Sequence, residues 1–358
     1  SGKGVGHTTR NQARYYLEEW FLQRPGVQAE AAAPFTNADA GHSTSDALII
    51  SRAIANRNWQ VAGAGPMTTA LVTFDAGADE LGRAGITITT DGTDADQAVL
   101  MPHLDTNQTA WTGIKWGTEN STEFECSIST TAIANQCVCT DPTNSQTLST
   151  TDQTAMATDG TGMGWHVVYS IADTFYTTNL DLAVEANTTY NLKIVIDSDR
   201  KASVYVNGTQ YGLVNDSGHA TLTNAGTANG TWGETNVLTD GAIGSTSTTE
   251  TTLTVKTTDA QPAFKVGDYV HVADTAVPIG RVKSVDSATS IVLETLDATI
   301  GDGVELFNYG QAATSATQKS KALTNDIDFI PYIGIQEGAG SAEALDVHYI
   351  AMNRLINE

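Results

Sequence analysis

Basic residues are scarce in this chain, with 18 Lys and Arg against 41 Asp and Glu, a formal net charge of −23 over 358 residues. Neutralising phosphates or anionic headgroups takes clustered cations, so neither nucleic acid nor a membrane surface is expected as a partner. Long apolar runs are missing as well, and no stretch approaches the ~20 residues that span a bilayer. The opening residues, Ser1 to His7, lack the apolar core of a signal peptide, so synthesis in the cytoplasm is expected. Cysteine is limited to Cys126, Cys137 and Cys139. An odd number cannot build a full disulfide framework, and zinc would need a fourth ligand such as His103 or His166. The simpler reading is small apolar strand residues in a chain folded under reducing conditions.

Charged residues make up only 16% of the chain, and Thr, Ser, Asn, Gly and Ala fill much of the rest. Such a composition gives strands whose outer faces are hydroxylated rather than charged. The clearest strand signal is Tyr190 to Leu213. Leu192, Ile194 and Ile196 alternate with Lys193, Val195 and Asp197, and Ala202 to Val206 alternates again. Asn207-Gly208 then suits a type I′ hairpin turn, in which both central residues have positive φ. Two hairpins in this span predict an antiparallel meander.

Residues 1–65 differ from the rest. Tyr15, Leu17, Trp20, Phe21 and Leu22 fit a helical stripe that ends at Arg24-Pro25-Gly26, so an arm with a short helix is expected. From Pro66 onward short apolar runs recur between turns rich in Gly, Asp and Asn, which predicts a sandwich or barrel. Residues 66–213 and 323–358 are read as one antiparallel jelly-roll β-sandwich. Residues 214–322 are read as an insertion: a Thr-rich low-complexity stretch to Thr252, expected to lie loosely on the surface, then a small β-barrel.

Candidate chemistry is thin. Glu123 and Glu125 lie two apart on a predicted strand and face one way, as a glycosidase carboxylate pair must. A third carboxylate is missing from the following positions, so an exposed acidic strand face is the favoured reading and no catalytic residue is assigned. Asp91, Asp94 and Asp96 share one loop and are the candidates for a calcium ion, although turn formation accounts for them without a metal. Otherwise no cofactor is expected. Trp111, Trp116, Trp165 and Tyr169 are candidates for an aromatic sugar platform, with Trp111 and Trp165 favoured. Tyr15, Trp20 and Phe21, set in the arm, are candidates for docking on a neighbouring subunit.

The phrase Asp197 to Gly208 (DSDRKASVYVNG) resembles laminin-G-like and concanavalin-like jelly-roll sandwiches, in which this meander crosses the middle of a sheet. Together with the closing Ile330-Pro-Tyr-Ile-Gly-Ile335 and His348-Tyr-Ile-Ala-Met352, the chain also resembles virion structural proteins of tailed bacteriophages. That resemblance implies a non-enzymatic capsid decoration or cement protein on the particle surface. Its partners would be the major capsid protein, other virion proteins and copies of itself. A fibre or adhesin binding host glycans is the alternative, and a glycoside hydrolase the third reading.

Overall fold

The computed structural model describes residues 14–21, 25–27, 56–64, 72–74, 85–90, 97–102, 116–117, 121–130, 136–139, 153–158, 164–171, 174–213, 234–256, 260–272, 275–309, 323, 328–329, 332–336 and 342–355. Strands β1 (Arg14–Glu19), β2 (Pro25–Val27), β3 (Asn56–Ala64), β4 (Val72–Phe74), β5 (Ile86–Thr89), β6 (Gln97–Pro102) and β7 (Trp116–Gly117) come first. Then follow β8 (Thr122–Thr130), β9 (Gln136–Cys139), β10 (Gln153–Thr158), β11 (Gly164–Ile171), β12 (Thr174–Ala183), β13 (Tyr190–Ile196), β14 (Ala202–Val206) and β15 (Thr209–Tyr211). A third group comprises β16 (Glu234–Leu238), β17 (Thr251–Thr254), β18 (Tyr269–Val272), β19 (Gly280–Ser287), β20 (Ser290–Leu293) and β21 (Glu305–Phe307). The chain closes with β22 (Asp328–Phe329), β23 (Tyr332–Gln336) and β24 (Ala344–Leu355).

Among the described residues the fold is nearly all β, with one helical turn at Ala260–Ala263, and apart from the parallel β2–β3 pair the strands pair antiparallel. Two eight-stranded sheets make the sandwich. The front sheet runs β15-β14-β13-β8-β24-β5-β4, with β1 added to β24, and the back sheet runs β12-β11-β10-β9-β23-β6-β3-β2. The chain passes repeatedly from one sheet to the other, as a jelly roll requires. Phe124, Cys126, Ile128, Leu192, Ile194, Ile350 and Met352 point inward from the front sheet, and Trp59, Leu100, Trp165 and Ile333 from the back. Each large aliphatic side chain so buried contributes about 1.5–3 kcal/mol before conformational entropy is set against it.

The meander is present as read. Asn207 and Gly208 have φ of 50° and 82°, the pair of positive values a type I′ turn demands. It lies at one edge of the front sheet rather than across its middle, because β8 and β24 occupy the centre.

The expected helical arm is corrected. Arg14–Glu19 is a strand, paired from Arg14↔Leu355 to Glu19↔Ile350. Its aromatic residues fit both periods, and pairing with the long closing strand decides for the extended form. The loose surface stretch expected to reach Thr252 is likewise corrected for its described part, residues 234–252. There Val237 is fully buried, and the Thr239 hydroxyl donates to the Gly301 carbonyl at 2.8 Å.

The six strands of 234–309 form a sheet of order β16-β21-β18-β19-β20-β17 with its own core around Phe264, Val270, Val282, Leu293 and Leu306. A bridge between Thr239 and Val255 joins its two edges, so the sheet curls closed. It is fastened to the meander. The Tyr309 carbonyl accepts from Gln210 Nε2 at 2.8 Å and Ser203 Oγ at 3.2 Å, and Gly212 N donates to the Ala276 carbonyl at 2.8 Å. Gly212 leaves room for this contact, since a Cβ there would lie 2.6 Å from the Tyr309 ring.

His271 is fully buried at this junction, its ring edge-on to Tyr309 at 5.0 Å. Burial holds its pKa down at about 3, against 6.5 for the free side chain. The unfolded chain therefore takes up a proton near pH 6.5 that the folded chain refuses. Stability is full above that pH and falls toward pH 3, by at most about 1.4 kcal/mol per pH unit. Thermal unfolding between pH 7.5 and 4 should show this slope, and His271→Phe should flatten it. An unchanged slope in the variant would rule out His271 as the source.

Candidate functional site

The outward face of the front sheet is ordered by strand pairing into cross-strand rows, since side chains two apart on a strand share a face. Lys193 lies opposite both Tyr205 and Glu125, Glu125 opposite Ala351, and Ala351 opposite Glu18. One step along, Val195, Glu123, Asn353 and Tyr16 form a parallel row. On the other side, Asn191, Ser127 and Tyr349 form a third, and Trp20 follows at the end of β1. The pairing register shifts between Val347 and Tyr349, which turns Tyr349 outward with Ala351 and Asn353.

Ala351 makes the difference to this surface. Its methyl group forms a low floor in the middle row, and taller side chains rise around it. The result is a cleft of about 230 Å³ lined by Tyr16, Glu18, Trp20, Glu123, Glu125, Tyr349, Ala351 and Asn353. Trp20 and Tyr349 stack with ring centroids 5.0 Å apart and planes inclined by 22°. Trp20 remains 45% exposed and Tyr16 43%, so both present apolar surface to solvent.

The polar groups are arranged around the carboxylates. Trp20 Nε1 donates to Glu18 Oε1 at 2.7 Å, and Asn353 Nδ2 donates to Glu123 Oε2 at 2.9 Å. Lys193 Nζ lies 3.1 Å from the same Glu123 oxygen, and the Tyr349 hydroxyl donates to Glu125 Oε1. Burial, then the Glu125 carboxylate, pushes the Tyr349 phenol well above its usual range. Burial also raises Tyr205, with Asp268 and Glu123 adding to it, up to about 12. Both phenols therefore stay protonated through the physiological range.

Of the residues singled out from the sequence, the cleft unites Trp20, Glu123 and Glu125. Phe21 does not join them. It is fully buried and meets Trp59 edge-on at 6.0 Å, so the assembly role expected for it is corrected: a core side chain offers no docking surface. Trp165 is corrected for the same reason, being 1% exposed and packed edge-on against Tyr190 at 5.3 Å. Tyr15 pairs through its backbone with Arg354. Trp111, Asp91, Asp94 and Asp96 lie outside the described residues. Asp197 is a turn residue whose Oδ1 accepts from Lys201 N at 2.9 Å. Among the described residues, no cluster of His, Cys, Asp and Glu could hold a metal ion. Cys126 is a free, buried thiol, raised in pKa by burial.

Sequence reading missed Tyr16, Glu18, Tyr349, Ala351 and Asn353. It also gave no hint that Ser129, His348 and Asp346 come together. Ser129 Oγ lies 3.3 Å from both His348 Nε2 and Asp346 Oδ2, and Thr87 Oγ1 donates to Asp346 Oδ1 at 2.6 Å. In a hydrolytic triad the carboxylate orients the imidazole. Here it binds the serine and threonine hydroxyls, the arrangement of a structural polar network.

No protein-family model matches the chain, and no curated protein does. Among solved structures, it is similar to a protein of unknown function from Shewanella oneidensis MR-1. That match has 9% identity and a TM-score of 0.39, and it covers 99% of this chain and 95% of the other. A glycosyl hydrolase family 16 protein from Mycobacterium smegmatis matches at 9% identity and a TM-score of 0.36, covering 94% and 98%. The family 7 alginate lyase A1-II′ matches at 10% identity and a TM-score of 0.34, covering 92% and 99%. The likeness is distant. The expectation of a non-enzymatic protein is nonetheless corrected, since glycosidase and lyase structures stand among those this chain is similar to.

Proposed function

We propose that this chain is a carbohydrate-active β-sandwich that binds a sugar chain in the front-sheet cleft. The observation that carries this reading is the exposed Trp20–Tyr349 stack beside a floor lowered at Ala351. A sugar ring has an apolar face of C–H groups and a rim of hydroxyls. Aromatic surface takes the face, and carboxylate and amide groups take the rim. Trp20→Ala should weaken binding of its best oligosaccharide about tenfold, equivalent to about 1.4 kcal/mol. Its thermal midpoint should fall only slightly, because nearly half of the side chain faces solvent. Ala351→Phe should abolish binding by filling the floor. Calorimetric titration against a panel of oligosaccharides checks both, and unaltered affinity in both variants would refute the cleft as the site.

A second reading, cleavage of the bound glycan, is favoured by the placement of Glu123 and Glu125. A strand rise of ~3.3 Å per residue sets their Cα atoms about 7 Å apart on one face, compatible with the ~5–5.5 Å carboxyl spacing of a retaining glycosidase. One carboxyl group would protonate the glycosidic oxygen as the other attacked the anomeric carbon. Water, deprotonated by the first group, would then release the sugar and free the second. The virion-decoration reading rested on resemblance in the sandwich phrase and closing strands, and took Tyr15, Trp20 and Phe21 as its docking residues. Phe21 lies in the core and offers no docking surface, and nothing in the cleft favours that reading over sugar binding.

A further inference from the structure

We infer that the ligand of this cleft is an uncharged glycan, to the exclusion of uronate-rich or sulfated chains. This rests on the cleft being a sugar site and adds the class of sugar it takes. Glu18, Glu123 and Glu125 line the cleft, and ionised carboxylates only accept hydrogen bonds. Three donors beside them are turned onto these carboxylates, while the Tyr16 hydroxyl, the second Asn353 N–H and the remaining Lys193 N–H groups leave the carboxylates in the majority. Trp20 Nε1 is given to Glu18, Asn353 Nδ2 to Glu123 and the Tyr349 hydroxyl to Glu125. Among the described residues, Lys193 is a cation in contact with this lining, and it is paired with Glu123.

With three carboxylates against one cation among the described residues, the cleft suits a ligand that brings donors and no negative charge. The hydroxyls of a neutral sugar meet that demand, since each can donate to a spare carboxylate lone pair. A uronate would set its carboxylate against three others, with Lys193 already paired. The charge of the whole chain, −23, repels polyanions before they reach the cleft.

The test is calorimetric titration of the full chain with neutral hexasaccharides (β-glucan, xylan and mannan series) and with hexa-uronates from alginate and pectate, at low and high salt. The expected result is binding of at least one neutral series. Hexa-uronates should bind at least about tenfold more weakly at low salt, with the gap narrowing as salt screens the cleft. Glu18→Gln, which keeps an acceptor for the Trp20 indole, should narrow the gap at low salt. Uronate binding as tight as the best neutral series, or a gap indifferent to salt and to Glu18→Gln, would overturn the inference while leaving the sugar site standing. No binding by either class would overturn the sugar reading and this inference with it.

Discussion

Glu123→Gln and Glu125→Gln should each lower glycan turnover by about 10²–10⁴-fold, the range expected for removing a positioned acid or base. Binding of the same oligosaccharide should stay within a few-fold, because Gln keeps the length and an acceptor oxygen. For Glu125 that oxygen can still receive the Tyr349 hydroxyl. For Glu123, Gln still serves Asn353 but gives up the ion pair with Lys193. That pair is partly solvent-exposed, so its loss should cost well under about 1 kcal/mol of stability. A reducing-end assay on the oligosaccharides bound by the wild type, beside thermal unfolding of each variant, separates chemistry from folding. Loss of turnover with retained binding and midpoint assigns the pair to cleavage. Binding without turnover in the wild type would mark the cleft as a recognition site in which the two carboxylates serve as hydrogen-bond acceptors.

The parts of this arrangement legible in the sequence were those written in strict alternation. Leu192, Ile194 and Ile196 announced β13, and Asn207-Gly208 announced the turn that follows. Glu123 and Glu125 could be put on one face of a strand from spacing alone. Their neighbours could not, because which residue stands across from Glu125 is a matter of sheet order. β8 pairs with β24, more than 200 positions away, and that register brings Ala351 and Asn353 beside it. Local sequence carries no record of such a pairing. The Tyr349 side chain was harder still, since the register shift after Val347 breaks the alternation that would have assigned its face. The N-terminal segment failed for another reason. Tyr15, Leu17, Trp20 and Phe21 satisfy a helical stripe, yet Tyr16, Glu18 and Trp20 also alternate, and the longer partner strand settled the matter. Trp165 shows the limit of reading by residue type. An aromatic residue on a strand marks either a platform or a core, and burial alone tells which.

Phe21→Ala should destabilise the protein by about 3–5 kcal/mol, the cost of emptying a fully buried aromatic site. The reason lies in what happens between two neighbouring residues. Trp20 points outward into the cleft and Phe21 inward against Trp59, so consecutive aromatic side chains serve opposite faces of the sheet. At Phe21 the backbone takes φ of 52°, a left-handed conformation costly for a bulky residue. The Phe21 N–H donates to Glu19 Oε1 at 2.9 Å, and burial of the ring offsets the strain. Without the ring the left-handed conformation loses that support, and the end of β1 should fray. Trp20 would then lose the backbone that holds it against Tyr349. Phe21→Ala is therefore expected to lower both the denaturation midpoint and glycan affinity. Phe21→Leu, which keeps most of the buried volume, should restore most of both. Denaturant unfolding and titration of the two variants check this, with Trp20→Ala as the contrasting case that loses affinity with little change in midpoint. A Phe21→Ala protein that unfolds earlier yet binds as the wild type does would show that Trp20 is positioned by its stack on Tyr349 without help from the core.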